Sequence, residues 1–304
     1  ADPLGLSRML SFWPFVLVYI WISMIVAQAT INKAMHFKWR DVPFMLNHAG
    51  LLIVMLCATL GNADMQRLKM TIHKSSPEWR ATNEQGKIVE MPLAIQLKEF
   101  KIYEYPPKLM LVNGKTGDPI PKDKPTTIVV DSSFTTGNLQ GWSIKLNKVI
   151  DEAAPLMTRD TTNYLPWHSS GAMTAINITA TSPNGKVKKT GWVTCGSYHF
   201  PYQVLSLDGK ISVAMPEREP QRYLSRVELM TEAGLHAFAD IEVNRPLSVE
   251  GWKIYQLSYD TSMGRWSETS VLELVRDPWL PFVYVGLGMM MLGAVFMFLS
   301  LQRR

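Results

Sequence analysis

Six histidines are the residues of this 304-residue chain best suited to bind a metal: His36, His48, His73, His168, His199 and His236. None of them stands in an HxH, HExxH or HxxxH spacing, so the local sequence predicts no zinc site. The two cysteines, Cys57 and Cys195, form neither a CxxC nor a CxxCH motif. Their spacing therefore excludes a thiol oxidoreductase and a haem attached covalently to this chain. For five of the histidines, an ordinary surface or core position is the simpler interpretation.

His48 differs because it lies inside an uncharged, apolar segment, PFMLNHAGLLIVML. It follows Val42 by six residues, which places it about 9 Å into the apolar zone at the helical rise of 1.5 Å per residue. An ionisable side chain at that depth costs free energy, and it therefore marks a candidate functional site. A hydrogen bond to another helix, shared with Asn47, would explain the same residue. The residues alone favour neither interpretation.

The surroundings of His48 would suit a haem, because a neutral imidazole is a good ligand for haem iron. Residues at i−4, i+4 and i+7 lie on the same face of a helix as residue i. At these spacings from His48 three apolar side chains would form a wall for the haem: Phe44, Leu52 and Met55. Ala49 and Gly50 are small enough to let a macrocycle or a neighbouring helix approach closely.

Three segments without any charged residue predict the elements that carry this site. They lie between Arg8 and Lys33, between Asp41 and Asp64, and between Asp277 and Arg303. Each is long enough to cross a bilayer, which needs about 20 apolar residues. We predict transmembrane helices at about 9–31, 42–63 and 279–300, so a wholly soluble protein is excluded. The domains are then 1–63 with two helices and a short cytoplasmic loop, 64–277, and 278–304 with the last helix and a short basic tail.

Residues 64–277 are too long for a loop and predict a β-rich, sandwich-like domain. Alternating stretches predict strands at 93–105, 128–130, 142–150, 173–180, 192–195, 224–230 and 252–259. Asn-Gly and Asp-Gly pairs between them predict tight turns, at 113–114, 184–185 and 208–209. Asp208-Gly209 is the strongest hairpin signal, and a type I′ turn is expected there. Short, evenly spaced strands favour a sandwich or a barrel-like pair of sheets.

The charge distribution disfavours nucleic-acid binding and predicts an orientation. The chain carries 31 Lys and Arg against 26 Asp and Glu. Residues 64–277 are nearly neutral, so most of the excess charge flanks the helices. Basic residues beside membrane helices are anchors and topology signals. The positive-inside rule favours the loop with Lys33, Lys38 and Arg40 inside and the β domain outside. Arg67, Lys69 and Lys74 follow the second helix on the opposite side and nearly balance this local count, and long domains cross largely regardless of charge.

No other catalytic pattern is present. The sequence has no GxSxG, P-loop or GxGxxG motif, which disfavours a hydrolase on a membrane anchor. The chain begins with Ala1, not Met, directly before a membrane helix. We therefore expect a processed chain or a fragment that has lost a segment upstream.

Several segments resemble ResB-type proteins of System II cytochrome c maturation, in the version found in Bacteroidetes-like bacteria. They are WRDVPFMLNHAGLL (39–52), LGNADMQRLKM (60–70), EYPPKLML (104–111), NRPLSVEGWKIYQLSYD (244–260) and VRDPWLPFVYVGL (275–287). They follow the order of the family and cover nearly the whole chain. The histidine of the family's membrane helix matches His48.

The resemblance implies a subunit of the bacterial cytoplasmic membrane that handles haem, with an extracytoplasmic main domain. Such proteins work with a CcsA-type partner, pass haem b outward and support its attachment to the CxxCH cysteines of apocytochrome c. The tryptophan-rich WxWD motif of that machinery is absent here. The catalytic half of the haem lyase would then be another chain or a missing extension, and this chain a non-catalytic subunit with His48 as one axial ligand.

The alternative is a membrane-anchored β domain that docks a partner and binds no haem. His48 discriminates between the two functions, because a scaffold has no need of an imidazole in lipid. The β domain contains no motif that would hold a porphyrin. We therefore expect residues 70–275 alone to fold and not to bind haem tightly.

Overall fold

Three long apolar helices form in the segments without charge. The computed structural model describes residues 12–159 and 161–301, with helices α1 (Trp13–Met35), α2 (Val42–Asp64) and α3 (Leu280–Leu301). Pro14, Pro43 and Pro281 each lie in a first turn, where the missing N–H costs no hydrogen bond. By length and composition all three helices could cross a membrane, which confirms the expected membrane protein.

The bounds of the helices differ from the predictions mainly in α1. The predicted helix at 9–31 continues to Met35, whereas residues 9–11 lie outside the described part of the chain. Lys33 is tolerated in the last turn because its ammonium group lies 3.1 Å from the carboxylate of Asp41. The predicted basic tail at Arg303 and Arg304 also lies outside the described residues.

The β domain, defined here as residues 66–276, contains seventeen described strands. In chain order they are β1 (Gln66–His73), β2 (Glu78–Asn83), β3 (Ile88–Glu104), β4 (Lys108–Asn113), β5 (Thr127–Val129), β6 (Thr136–Leu139), β7 (Trp142–Met157), β8 (Thr162–Pro166), β9 (Met173–Thr181), β10 (Lys188–Thr194), β11 (Leu205–Ser206), β12 (Ile211–Ala214), β13 (Pro220–Thr231), β14 (His236–Glu242), β15 (Leu247–Val249), β16 (Trp252–Tyr259) and β17 (Thr269–Arg276). They confirm the prediction of a β-rich domain in this region.

The largest sheet has eight strands in the order β14-β13-β3-β2-β1-β17-β16-β15. Ser225 on β13 and Ser270 on β17 are fully buried, and their hydroxyl oxygens lie 2.9 Å apart. Three strands separate β13 from β17 in the sheet order. The sheet must therefore curl strongly to bring these side chains together, as in a barrel.

Two smaller sheets form a sandwich. One has the order β10-β9-β7-β6, with β8 paired to β7, and the other the order β11-β12-β4-β5. Their inner faces share one apolar core that contains Leu109, Leu111 and Val213 from the four-stranded sheet and Ile144 and Ile178 from the five-stranded sheet. This packing confirms the sandwich-like part of the expectation.

The predicted hairpin at Asp208-Gly209 is present between β11 and β12, but its turn is not type I′. Only Gly209 has a positive φ, of 80°. The Asp208 carboxylate instead accepts the backbone N–H groups of Lys210 and Ile211, at 3.0 and 2.9 Å. These bonds stabilise a different turn, because a type I′ turn needs a positive φ at both central residues.

The chain divides into two compact units. The helical unit combines the three helices with Ser248–Lys253. The second unit comprises Leu68–Leu247 and Ile254–Glu273 and holds most of the β domain.

Candidate functional site

Helix α2 carries His48 in its second turn. The side chain is half-buried, six residues after the start of the helix at Val42. The imidazole Nδ1 lies 3.1 Å from the backbone carbonyl oxygen of Phe44. A carbonyl only accepts, so Nδ1 carries the proton and donates. The lone pair of the neutral imidazole is then on Nε2.

Phe44 fixes the orientation of the same imidazole. The two rings stack with centroids 3.7 Å apart and planes at 18°. This contact joins residues i and i+4, which lie one above the other on a helix. The hydrogen bond and the stacking together hold the ring of His48 in one orientation.

Asn47 does not share a hydrogen bond with His48. Its amide Nδ2 donates to the backbone carbonyl of Pro43 on the same helix, at 3.0 Å. Within residues 12–159 and 161–301, both polar side chains of this turn therefore bond to their own helix. Among the described residues, His48 therefore has no partner on another helix for the interhelical hydrogen bond that was the alternative interpretation.

Helix α3 occupies the space beside Gly50. A Cβ atom added to Gly50 would lie 2.6 Å from the carbonyl oxygen of Gly286, and one added to Gly286 would lie 2.7 Å from that of Gly50. Gly293, one heptad further, packs against Asn47 in the same way. The close approach expected at Gly50 is thus made by a helix of this chain.

Helix α1 contacts the far end of the predicted haem wall. The Tyr19 hydroxyl donates to the Met55 carbonyl at 2.6 Å, and the Ser23 hydroxyl lies 3.9 Å from the Met55 sulfur. Phe44 and Leu52 are half-buried at one turn on either side of His48. Of the three wall residues, Met55 therefore packs on α1 and Phe44 on His48 itself.

The other histidines contact residues other than those around His48. Their contacts are local: His36 with the carbonyl of Asn32, His73 with the hydroxyl of Thr269, His168 and His236 with the carboxylates of Glu152 and Glu228, and His199 with the rings of Tyr198 and Phe200. Among the described residues, no group of three or more His, Cys, Asp and Glu side chains could hold a metal ion. His48 remains the candidate because of its position on α2.

A cavity of about 260 Å³ in the β domain contains a polar cluster that the sequence did not indicate. Glu104 Oε2 lies 3.3 Å from Arg218 Nε and 3.4 Å from Arg265 Nη1. Arg265 also donates to the carbonyl of Ala172 at 3.1 Å. The cluster thus ties β3 to the segment before β9. It consists of paired charges, which is typical of a structural contact.

Cys195 also lines this cavity. Burial raises the pKa of its thiol, and the nearby Glu104 carboxylate acts in the same direction. The thiol is therefore protonated at neutral pH, and a protonated thiol is a weak nucleophile. This agrees with the absence of a nucleophile motif in the sequence.

Comparison with known proteins identifies the chain at the level of its family. No curated protein matches it significantly. The family model of the ResB-like family matches residues 33–267, more than three quarters of the 304 residues. The match includes His48 and most of the β domain, and the family points to involvement in cytochrome c biogenesis. The chain belongs to the ResB-like family.

Proposed function

We propose that this protein is the haem-holding subunit of a System II cytochrome c maturation complex, with His48 as one axial ligand of haem b. The haem lies at an interface with a CcsA-type partner, and the complex transfers it to apocytochrome c.

The observation that carries the proposal is the position of His48 Nδ1, which lies 3.1 Å from the backbone carbonyl oxygen of Phe44. With Nδ1 donating to Phe44, the nitrogen left for a metal is Nε2, which has no hydrogen-bond partner among the described residues. Histidines that bind metals commonly donate their other ring N–H to a carbonyl or a carboxylate. This arrangement supports a role of the side chain as an iron ligand.

A second imidazole for the haem iron would come from a partner chain. His36, the histidine nearest in sequence, caps the end of α1 and lies twelve residues before His48, outside α2. The described residues hold no second histidine in the layer of His48. A bis-histidine haem therefore requires an imidazole from the CcsA-type protein.

The residues of this chain position and shield the haem. His48 would hold it through the imidazole, and Phe44 would keep the imidazole from rotating away. Phe44 and Leu52 exclude water on either side along α2. When bound, haem supplies the vinyl groups that react with the cysteine thiols of the apocytochrome, and no nucleophile from this chain is needed.

The proposed location is the bacterial cytoplasmic membrane with the β domain on the outer side. The basic loop between α1 and α2, which contains Lys38 and Arg40, supports this orientation. Haem leaving the membrane on the outer side would then meet apocytochrome c next to the β domain.

Haem retention by the complex tests the proposal. The protein is purified with its CcsA-type partner, and haem is counted per complex from the pyridine haemochrome spectrum. His48→Ala should lower the haem content strongly. His36→Ala is the matched control, because its imidazole makes the same type of bond to the carbonyl four residues earlier, at 3.2 Å.

Two outcomes distinguish the haem-binding function from the scaffold function. Loss of haem in His48→Ala with normal content in His36→Ala would support the ligand assignment. Unchanged haem content in His48→Ala, with partner binding retained, would contradict it and favour the scaffold that binds no haem.

A further inference from the structure

The five-stranded sheet of the β domain lies in a part of the sequence with an unusual charge pattern. No Asp or Glu occurs in residues 161–207 or in residues 132–150. These two stretches contain β6, β8, β9, β10 and most of β7. The same stretches carry five lysines: Lys145, Lys148, Lys186, Lys188 and Lys189. The domain as a whole is nearly neutral, so these two stretches carry an excess of positive charge, whereas the remaining part of β7 contains Asp151 and Glu152.

The strand register places three of these lysines on one face. Lys145 pairs with Thr179, Lys148 with Asn177, and Lys188 with Thr181. Residues 177, 179 and 181 alternate with Ile176, Ile178 and Ala180, which point into the sandwich core. The three lysines therefore share the outer face of the sheet, away from the four-stranded sheet.

These lysines have no partner in the described part of the chain. Lys145, Lys148 and Lys188 are exposed, and none makes an ion pair or a side-chain hydrogen bond with residues 12–159 or 161–301. Elsewhere in the domain lysines pair with carboxylates, as Lys108 does with Glu219 at 2.7 Å. Like charges on one face repel each other, so the surface is best satisfied by an anionic partner.

A cleft of about 670 Å³ opens on the same face. The end of the β7–β8 hairpin, with Arg159 and Thr162, forms one wall. Asn177, Thr190 and Trp192, which are outward-facing residues of β9 and β10, form the floor. The cleft thus combines side chains that form hydrogen bonds, one aromatic ring and a further positive charge.

We propose that the outer face of the five-stranded sheet binds an acidic, extended polypeptide segment of a partner protein. The segment would run from the cleft along the sheet face, with its carboxylates toward Lys145, Lys148 and Lys188, which lie beside the cleft and outside its lining. Its backbone would bond to the amide and hydroxyl groups of the floor. This inference does not depend on haem binding by His48.

The geometry favours a peptide over a lipid surface. A cleft walled by a hairpin can enclose a chain of polypeptide width, whereas a bilayer surface requires a flat or convex contact. The floor offers the side-chain amide of Asn177 and the hydroxyl of Thr190, which lies 2.9 Å from the hydroxyl of the neighbouring Thr179. Such groups match a backbone better than they match headgroups.

Fluorescence anisotropy on the full-length protein in phosphatidylcholine nanodiscs tests the proposal. The probe is a fluorescein-labelled peptide of alternating Glu and Thr residues, which places its carboxylates on one side when extended. The triple variant Lys145→Gln, Lys148→Gln, Lys188→Gln should weaken binding about tenfold or more, from the sum of three exposed charge pairs. The control triple variant Lys87→Gln, Lys115→Gln, Lys122→Gln removes the same net charge from exposed lysines elsewhere.

A further variant distinguishes binding in the cleft from nonspecific electrostatic attraction to the lysines. Thr190→Trp fills the floor without changing the charge and should also weaken binding. The proposal is supported if the face triple variant and Thr190→Trp lose affinity while the control triple variant does not. Equal loss in both triple variants, or no binding by the wild type, would overturn it. Capture of phosphatidylglycerol vesicles that depends on the face lysines, with peptide binding unaffected, would assign the face to lipid instead.

Discussion

The imidazole of His48 stacks on the phenyl ring of Phe44 at a centroid distance of 3.7 Å, and it donates a hydrogen bond to the backbone of the same residue. One residue therefore sets both the tautomer and the orientation of the candidate ligand. The hydrogen bond uses the backbone and survives substitution of Phe44, whereas the ring contact does not. The two effects can thus be separated.

Phe44→Leu should weaken haem binding without abolishing it. Leucine keeps an apolar side chain and the carbonyl acceptor but removes the stacked ring, so the imidazole gains rotational freedom. Groups that orient a metal ligand typically contribute about 10–100-fold in affinity. We expect haem transfer from the complex to apomyoglobin to be about tenfold faster. Phe282→Leu, at an exposed position of α3, is the control, and equal rates in the two variants would refute the orienting role.

Gly286→Ala should destabilise the packing of α3 against α2, the helix that carries His48. The new Cβ atom would lie 2.7 Å from the carbonyl oxygen of Gly50 and 2.8 Å from Val54 Cγ2. Such overpacking costs about 1–3 kcal/mol. Gly288→Ala is the matched control on the same helix, because nothing lies within 4 Å of its added Cβ. Unfolding in mixed detergent and SDS micelles, followed by tryptophan fluorescence, should separate the variants. Identical midpoints would mean that α2 and α3 are not packed as described.

Cys195 should react slowly with alkylating reagents. The pH at which its reaction rate levels off should be higher than for an ordinary thiol. Burial raises the pKa of this thiol above its value in the unfolded chain, about 8.5. The resulting stabilisation is complete below that unfolded value and is lost as the pH rises through the raised pKa of the folded state.

The measurement is the rate of carbamidomethylation in a Cys57→Ser variant, from neutral pH upward, with and without urea. The rate in urea should follow an ordinary thiol, and the rate in the folded protein should level off at a higher pH. A folded-state profile that coincides with the profile in urea would exclude the effect of burial.

The turn at Asn184-Gly185 should be accessible from outside the cell. Lys186→Cys, in a background without Cys57 and Cys195, places a thiol at an exposed position of this turn. An impermeant maleimide should label it in intact spheroplasts. Phe37→Cys, exposed in the loop between α1 and α2, should be labelled only after permeabilisation. The reverse pattern would invert the orientation.

The sequence predicts the elements of this fold well where composition alone decides. The uncharged gaps locate α2 and α3 to within about two residues, because a helix in a bilayer must be apolar along its whole length. The alternation in WKIYQLSY likewise predicts β16 with the bounds observed. Strand order is different, since β3 pairs with β13 more than a hundred residues later. Local patterns carry no information on such pairings.

The same limit applies to the candidate site. His48 stands out in the sequence because an ionisable residue in an apolar helix is unusual. The sequence could not predict what each of its neighbours on the helix contacts, since the spacing of Leu52 and Met55 says only that they share a face. That α1 covers Met55 and that α3 fills the space at Gly50 follow from tertiary packing.

The spin state of the haem in a His48→Gly complex tests the ligand assignment most directly. Glycine removes the imidazole and leaves a space that free imidazole can enter. The wild-type complex should show a six-coordinate, low-spin spectrum. The haem that the variant still binds should show a high-spin, five-coordinate spectrum that returns to low spin when imidazole is added. A low-spin spectrum in His48→Gly without imidazole, at normal haem content, would contradict the claim that His48 binds the iron.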